Sequence, residues 1–310
     1  MTSLRSALCS LLALAFLWVT ARDAFGHPGS GIVVDSNGQV FFQDSAGRAV
    51  WKIDSQGKFS KYFDRMGGHW MALDADGSFS RASIPHFERI TPDGEKPALV
   101  VADGGSPIAV NRDGNLYYLC GFSSTRPMDP GGPLIGRMSP DGQLTVLARG
   151  MKKMVENLGG ITGLAAGLDG FLYAACPSAV LKVGRDGTAS TLIHPIAVAD
   201  CDEDFPDGNT KWPLPALRGL AVDPDGTVYA AATGCHRVVR IARDGKVEVV
   251  LKAERPWSPT GVALHGGDLY VLEYTNANGG PGNGWSPCVR KLARDGKVST
   301  LATVSPPAQP

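Results

Sequence analysis

A single repeating unit runs through almost the whole chain and limits the possible folds more than any other feature. Residues 31–59 and 219–247 each read as four short strands joined by a tight turn, a longer loop and a second tight turn. Glycine is expected in both tight turns because hairpin turns place a residue at positive φ. The first-turn glycines are Gly38, Gly77, Gly114, Gly170, Gly226 and Gly267, and the second-turn glycines are Gly57, Gly94, Gly142, Gly187, Gly245 and Gly296. Six copies of each turn predict six four-stranded units.

Successive four-stranded antiparallel units predict an all-β fold, a six-bladed β-propeller, because radial packing buries both faces of every sheet. The 39 glycines and 22 prolines fit the many turns between short strands. One domain is expected over residues 27–304, followed by a short tail, 305–310. No spare strand is apparent, so we expect the ring to close by packing of the last blade on the first. The blades are expected at residues 27–63, 67–102, 104–149, 159–193, 217–253 and 258–304.

Residues 1–26 have the layout of a secretory signal peptide, in which Arg5 precedes an apolar run over residues 7–19. Small residues allow cleavage near residue 21 or residue 26. The run is too short for a stable anchor, and no later stretch reaches the roughly 18 apolar residues of a spanning helix. We therefore expect a secreted or periplasmic protein with no membrane anchor after cleavage.

Charge and missing motifs narrow the function. The chain has 30 basic and 30 acidic residues, so its overall charge gives no basis for binding nucleic acid. It lacks a Gly-x-Ser-x-Gly elbow, a His-Glu-x-x-His motif, a Cys-x-x-Cys motif and a phosphate-binding glycine loop. Serine hydrolase, zincin, thiol oxidoreductase and nucleotide-binding functions therefore lose their usual support.

The connections between strands divide the predicted propeller into two faces, because successive strands of a meander run in opposite directions. In a four-stranded meander both tight turns lie on one face, here called the bottom face. The middle loops and the links between blades lie on the other, the top face. The long insertions fall in middle loops, at 121–134 and 275–287, and in links, at 150–158 and 194–216. All of them belong to the top face, which is therefore the predicted binding face.

The repeat resembles a known pattern. Gly219-Leu-Ala-Val-Asp-Pro-Asp-Gly226, followed by Val-Tyr and a later Arg-Ile with a second Asp-Gly turn, resembles the NHL repeat. The wider relatives are the senescence-marker (SMP-30)/gluconolactonase propellers and the virginiamycin B lyase propellers, and residues 160–173 are similar to the latter. The resemblance implies a propeller whose relatives include hydrolases, lyases and binding modules. Function therefore has to come from the site.

A metal site at the upper channel mouth is one hypothesis. His69, His236 and Glu273, with His27 nearby, are residue types that hold zinc or a similar divalent ion, and they are also the candidate catalytic residues. Virginiamycin B lyase-like enzymes use His and Glu at such a mouth to hold a divalent cation. The alternative is that each is a polar residue in a wet channel. The residues just before the first strands are predicted to ring this mouth, and they read Ser30, His69, Ser106, Thr162, Arg218 and Thr260. A gluconolactonase-like metal site is not favoured at a ring of this composition.

A binding surface on the top face is the leading hypothesis. Its ligand would be a small molecule, a glycan or a peptide. Tryptophans favour ligand stacking, although they could equally be lids over the seams between blades. The candidate binding residues are Trp70, Trp212, Trp257, Trp285, Arg218 and Asp44. The rival hypothesis is a metal-dependent lyase, or a lactone or ester hydrolase.

An acidic segment and a cysteine pair complete the candidates. Asp200, Asp202 and Asp204 alternate along the chain and could chelate calcium, a cation that takes many oxygen ligands. A solvated acidic loop is the alternative. Cys201 and Cys235 are placed on the top face, in neighbouring segments, so they are the preferred disulfide in an oxidising compartment.

Overall fold

The structure is a computed structural model, and it describes residues 28–64, 68–74, 87–90, 98–102, 106–120, 134–147, 151–201, 214–280 and 283–305. These residues form five four-stranded sheets and one three-stranded sheet, all antiparallel. A short helix, α1 (Lys152–Asn157), lies between the third and fourth sheets. No helix in the described part of the chain is long and apolar enough to cross a membrane.

The strands follow the chain in order. The first sheet contains β1 (Ile32–Val34), β2 (Val40–Asp44), β3 (Ala49–Ile53) and β4 (Phe59–Asp64). The second contains β5 (Trp70–Asp74), β6 (Phe87–Ile90) and β7 (Ala98–Ala102). The third contains β8 (Ile108–Val110), β9 (Leu116–Cys120), β10 (Leu134–Met138) and β11 (Leu144–Val146).

The second half repeats the pattern. The fourth sheet contains β12 (Gly163–Ala166), β13 (Leu172–Cys176), β14 (Ala179–Val183) and β15 (Ala189–Ile193). The fifth contains β16 (Leu217–Val222), β17 (Val228–Ala232), β18 (Arg237–Ile241) and β19 (Val247–Lys252). The sixth contains β20 (Ser258–His265), β21 (Asp268–Gly280), β22 (Asn283–Leu292) and β23 (Val298–Thr303).

The four-stranded sheets confirm the meander predicted from the turns. In each of them the strands pair in chain order. Every predicted turn glycine within the described ranges has a positive φ, between 75° and 87°. Gly77 and Gly94 lie outside those ranges. The all-β propeller of four-stranded antiparallel blades is therefore confirmed for five sheets.

The second sheet differs from the prediction. Its order is β5-β7-β6, so β7 lies in the middle, and Trp70 and Phe87 both pair with Ala102. The strand predicted to follow β5 falls within residues 75–86, outside the described residues. A sixth four-stranded blade therefore stays a prediction.

The core is divided into seams between consecutive sheets. Within the described residues, each of six clusters of buried apolar side chains joins two neighbouring sheets, and one of them joins the sixth sheet to the first. In β17, Ala230 and Ala232 face the fourth sheet while Ala231 faces the sixth. Because strand residues alternate between two buried faces, these strands read as nearly continuous apolar runs.

The ring closes through the first strand of each sheet. These strands contact one another in a cycle that runs β1, β5, β8, β12, β16, β20 and back to β1. At the last junction a Cβ added to Gly261 would lie closer than van der Waals contact to the Ser30 carbonyl oxygen, so only glycine allows this approach. Packing of the last sheet on the first therefore closes the ring.

The insertion at residues 275–287 is not a loop throughout. The hairpin of β21 and β22 continues into it, with Asn276 opposite Trp285 and Gly280 opposite Asn283. Trp285 is buried against the seam between the first and sixth sheets. Its aromatic side chain stabilises the extended hairpin, because strand pairing there buries apolar area.

Candidate functional site

The first described residues of the chain cross the mouth of the ring. Thr260 Oγ1 donates a hydrogen bond to the Gly29 carbonyl oxygen, 2.7 Å away, and Arg218 Nη1 donates to that of Pro28, 3.2 Å away. The backbone N–H of Ser30 donates to the carbonyl oxygen of His69, 2.7 Å away. The structure therefore brings these predicted mouth residues together, and they hold the chain itself.

Asp44 organises the middle loop of the first sheet. Its side chain accepts hydrogen bonds from the Gly47 backbone N–H, 2.7 Å away, and from Trp51 Nε1, 3.3 Å away. Burial is the largest influence on its carboxyl and raises the pKa above the ordinary value, against these bonds. The predicted binding residue Asp44 is only 4% exposed, and its hydrogen bonds stabilise its own loop.

The predicted tryptophan surface is only partly assembled. Trp70 and Trp285 are 8% and 5% exposed and belong to the apolar clusters between sheets. Trp257 is half-buried, and its carbonyl oxygen holds His236. Trp212 lies outside the described residues. Two of these rings therefore act as lids over seams, the alternative weighed from the sequence.

Two of the predicted metal residues, His236 and Glu273, bind other protein groups. His236 Nδ1 donates to the Trp257 carbonyl oxygen, 2.8 Å away, and Glu273 is ion-paired with Arg290 at 3.3 Å. Within the described ranges no three His, Cys, Asp or Glu side chains come together as a metal-binding group, so His69, His236 and Glu273 do not form one. His27 lies outside those ranges.

Glu273 is nevertheless an unusual carboxyl. It is 1% exposed, and burial raises its pKa to about 7, against the opposing charge and hydrogen bond of Arg290. Two positions further along the hairpin, the hydroxyls of the opposed residues Thr275 and Ser286 are buried and have no hydrogen-bond partner among the described residues. Glu273, Thr275 and Ser286 thus form a buried polar cluster in the sixth sheet, near the top face.

A disulfide joins two top-face segments at the fifth sheet. A disulfide links Cys201 to Cys235, the pair favoured from the sequence, with their Cα atoms 4.6 Å apart. Asp200 directs its carbonyl oxygen to Arg237 Nη2, at 3.1 Å. Asp202 and Asp204, the other calcium candidates, lie outside the described residues. Cys176 and Cys288 are buried free thiols.

A cavity of about 470 Å³ opens beside this disulfide. His236 belongs to the turn before β18, and the chain from Lys252 to Arg255 links β19 to β20, so both walls are top-face segments. Sequence reasoning missed every lining residue except His236. The available signal was the run Lys252-Ala-Glu-Arg255, which places three charges in a top-face link. The cavity is lined by His236, Arg237, Lys252, Ala253, Glu254 and Arg255.

Comparison with known proteins identifies the fold. Neither a protein-family model nor a curated protein sequence matches the chain. The structure is similar to regucalcin, a calcium-binding protein of Agrobacterium tumefaciens, with a TM-score of 0.54 and 15% identity over 91% of this chain and 93% of that one. A gluconolactonase of Xanthomonas campestris gives a TM-score of 0.53 and 16% identity over 79% and 83% of the two chains.

Virginiamycin B lyase of Staphylococcus aureus gives a TM-score of 0.50 and 14% identity, over 88% of this chain and 83% of that one. At such identities the likeness concerns the fold alone, and the propeller fold that the resemblance implies is confirmed. The chain therefore has the propeller fold shared by virginiamycin B lyase, gluconolactonase and regucalcin.

Proposed function

We propose that the protein is a secreted or periplasmic six-bladed propeller that binds a small molecule, glycan or peptide on its top face. The observation that carries this proposal is the cavity of about 470 Å³ beside the disulfide. Small-molecule sites span roughly 300–1,000 Å³ and combine a concave surface with a few convergent polar groups. The cavity has both properties, and it lies where top-face segments meet on a rigid scaffold.

A metal-dependent lyase or hydrolase is the second function suggested by the sequence. In the described part of the chain the candidate ligands His236 and Glu273 are bound to the Trp257 carbonyl and to Arg290, and no third ligand joins them. Because the described residues include no group of three such ligands, we assign these residues no catalytic step. Metal analysis of the mature protein and of a His69→Ala variant checks this: stoichiometric metal that the variant loses would favour the enzyme.

A thermal-shift screen against sugars, organic acids, amino acids and short peptides tests the binding function. A ligand that binds only the folded state raises its melting temperature. We expect at least one class to do so in the wild type. The double variant Glu254→Ala/Arg255→Ala should lose that shift, because both residues line the cavity.

The matched control is Lys246→Ala/Glu248→Ala, which removes the ion pairs of Glu248 with Lys246, at 2.8 Å, and with Arg240, at 2.7 Å, from the bottom half of the same sheet. It should keep the ligand-dependent shift. Equal shifts in the two double variants would place the ligand elsewhere. No shift with any class would contradict a binding function.

A further inference from the structure

The described residues that line the cavity beside the disulfide carry an excess of positive charge. They include Arg237, Lys252 and Arg255, and Glu254 is the single carboxylate among them. Because overlapping fields of like charge in a partly enclosed space attract ions of opposite sign, the cavity favours an anion. The question is whether protein groups already satisfy these cations.

Arg237 is a buried cation whose acceptors, within the described ranges, are all neutral. It is 5% exposed. Its guanidinium donates to the carbonyl oxygens of Cys235 and Asp200, each at 3.1 Å, and of His236, at 3.3 Å. No described carboxylate pairs with it. Since a guanidinium has five N–H groups, donors are left over, and carbonyl oxygens leave its charge uncompensated.

Lys252 stands directly opposite Arg237 in the pairing of β18 with β19. Like charges at directly opposed positions destabilise a sheet, whereas opposite charges stabilise it. The same two strands use the stabilising arrangement further along, where Arg240 lies opposite Glu248 and their side chains form an ion pair of 2.7 Å. The repulsive pair therefore occurs at the cavity end, where an anion between the two cations would relieve it.

The backbone around Arg237 is held in an uncommon conformation. His236, Asp200 and Ala216 all have φ between 50° and 53°, the left-handed region, which is costly for residues with a side chain. At His236 and Asp200 this conformation accompanies a carbonyl oxygen that accepts from Arg237. These hydrogen bonds hold the guanidinium at the cavity wall, as a preorganised binding group requires.

We infer that this cavity binds a small organic anion, whose carboxylate or phosphate oxygens lie between Arg237 and Lys252. The inference rests on the proposed binding function and specifies the class of ligand. Arg237 supplies fixed donors from the buried wall, and Lys252 supplies a mobile charge at the rim. Carboxylates and phosphates both present oxyanions, and the experiment below distinguishes between them.

Calorimetric titration of the mature protein at low salt tests the inference. The probes are citrate for carboxylates, glucose 6-phosphate for phosphates, and glucose as the neutral analogue. We expect at least one of the two anions to bind and glucose to bind far more weakly. Lys252→Gln should lower the affinity for the anion by about tenfold, because one charged contact is lost. Lys252→Glu should abolish binding, and raising the salt concentration should weaken it.

The control is Lys297→Gln, which removes an exposed lysine from the bottom face and should leave the anion affinity unchanged. Arg237→Lys keeps the charge but loses the planar set of donors, so it should bind more weakly than the wild type while still folding. The Lys252 variants decide the matter if Arg237→Lys folds poorly, because Lys252 is exposed.

Two results would overturn the inference. One is anion binding that is equal in the wild type and in both Lys252 variants. The other is the absence of binding by both anions. If a neutral ligand from the screen still requires Glu254 and Arg255, the proposed binding function survives without its anionic ligand. If no ligand of any class binds, both fail.

Discussion

At the scale of single residues, Glu273 makes stability depend on pH. Its pKa is raised from 4.5 to about 7 in the folded protein, chiefly by burial. Between these pH values the folded protein holds a proton that the unfolded chain has released, so the free energy of unfolding falls as pH rises. The contribution is fully present below pH 4.5 and lost above pH 7, and its size is on the order of 3 kcal/mol.

The variant Glu273→Gln should flatten the fall in stability between pH 5 and pH 7.5 by on the order of 2 kcal/mol, because glutamine does not titrate. Urea unfolding at several pH values measures this. The exposed Asp244→Asn serves as the control and should keep the wild-type slope. An unchanged slope in Glu273→Gln would show that this carboxyl does not titrate in the window.

Residues differ in how far the sequence reveals them. The turn glycines could be predicted because a hairpin turn imposes a local requirement for positive φ. Arg237 and Lys252 could not, since a charged residue at a strand end reads as solvent-facing. Only the pairing register, which no local pattern specifies, places the two cations opposite each other.

At the scale of elements, the Cys201–Cys235 disulfide joins the link before the fifth sheet to the middle loop of that sheet. Its sequence separation is 34 residues. The double variant Cys201→Ala/Cys235→Ala should lower the free energy of unfolding by about 3 kcal/mol, because it frees a loop of this length in the unfolded chain. Denaturant unfolding measures the loss.

Reductant provides the control for the disulfide. It should lower the stability of the wild type towards that of the double variant and leave the variant itself unchanged, because the other cysteines whose side chains the structure describes, Cys176 and Cys288, are already free. Equal stability of the variant and the oxidised wild type would contradict the prediction. The hairpin of β21 and β22 shows the limit of sequence reasoning at this scale, since its extension depends on burying Trp285 against another sheet.

At the scale of the whole molecule, the last seam decides whether the ring holds together. Tyr274 is buried in this seam, and its hydroxyl donates to the Gln43 carbonyl oxygen at 2.5 Å and accepts from the Ser45 backbone N–H at 3.3 Å. Tyr274→Phe should cost about 1–3 kcal/mol, because it removes a buried hydroxyl that makes two hydrogen bonds across the seam. The melting temperature should fall by several degrees.

Tyr270→Phe is the matched control, on the same strand and in the same cluster of apolar residues. Its hydroxyl lies near Lys291 within the sixth sheet, so its loss should affect stability less. Hydrogen exchange should show faster exchange in β1 and β20 for Tyr274→Phe alone. Similar exchange in both variants would mean that the seam does not depend on this hydroxyl.

The bond between Thr260 and Gly29 has a kinetic consequence. It joins residues 231 positions apart, so it cannot form until nearly the whole chain has been synthesised. Contacts of such high sequence separation are slow to form because a long loop must first be closed. The surface of the first sheet that packs against β20 therefore stays exposed until the sixth sheet has been synthesised. Ring closure should be the slowest step of folding, and the step at which a chaperone would act.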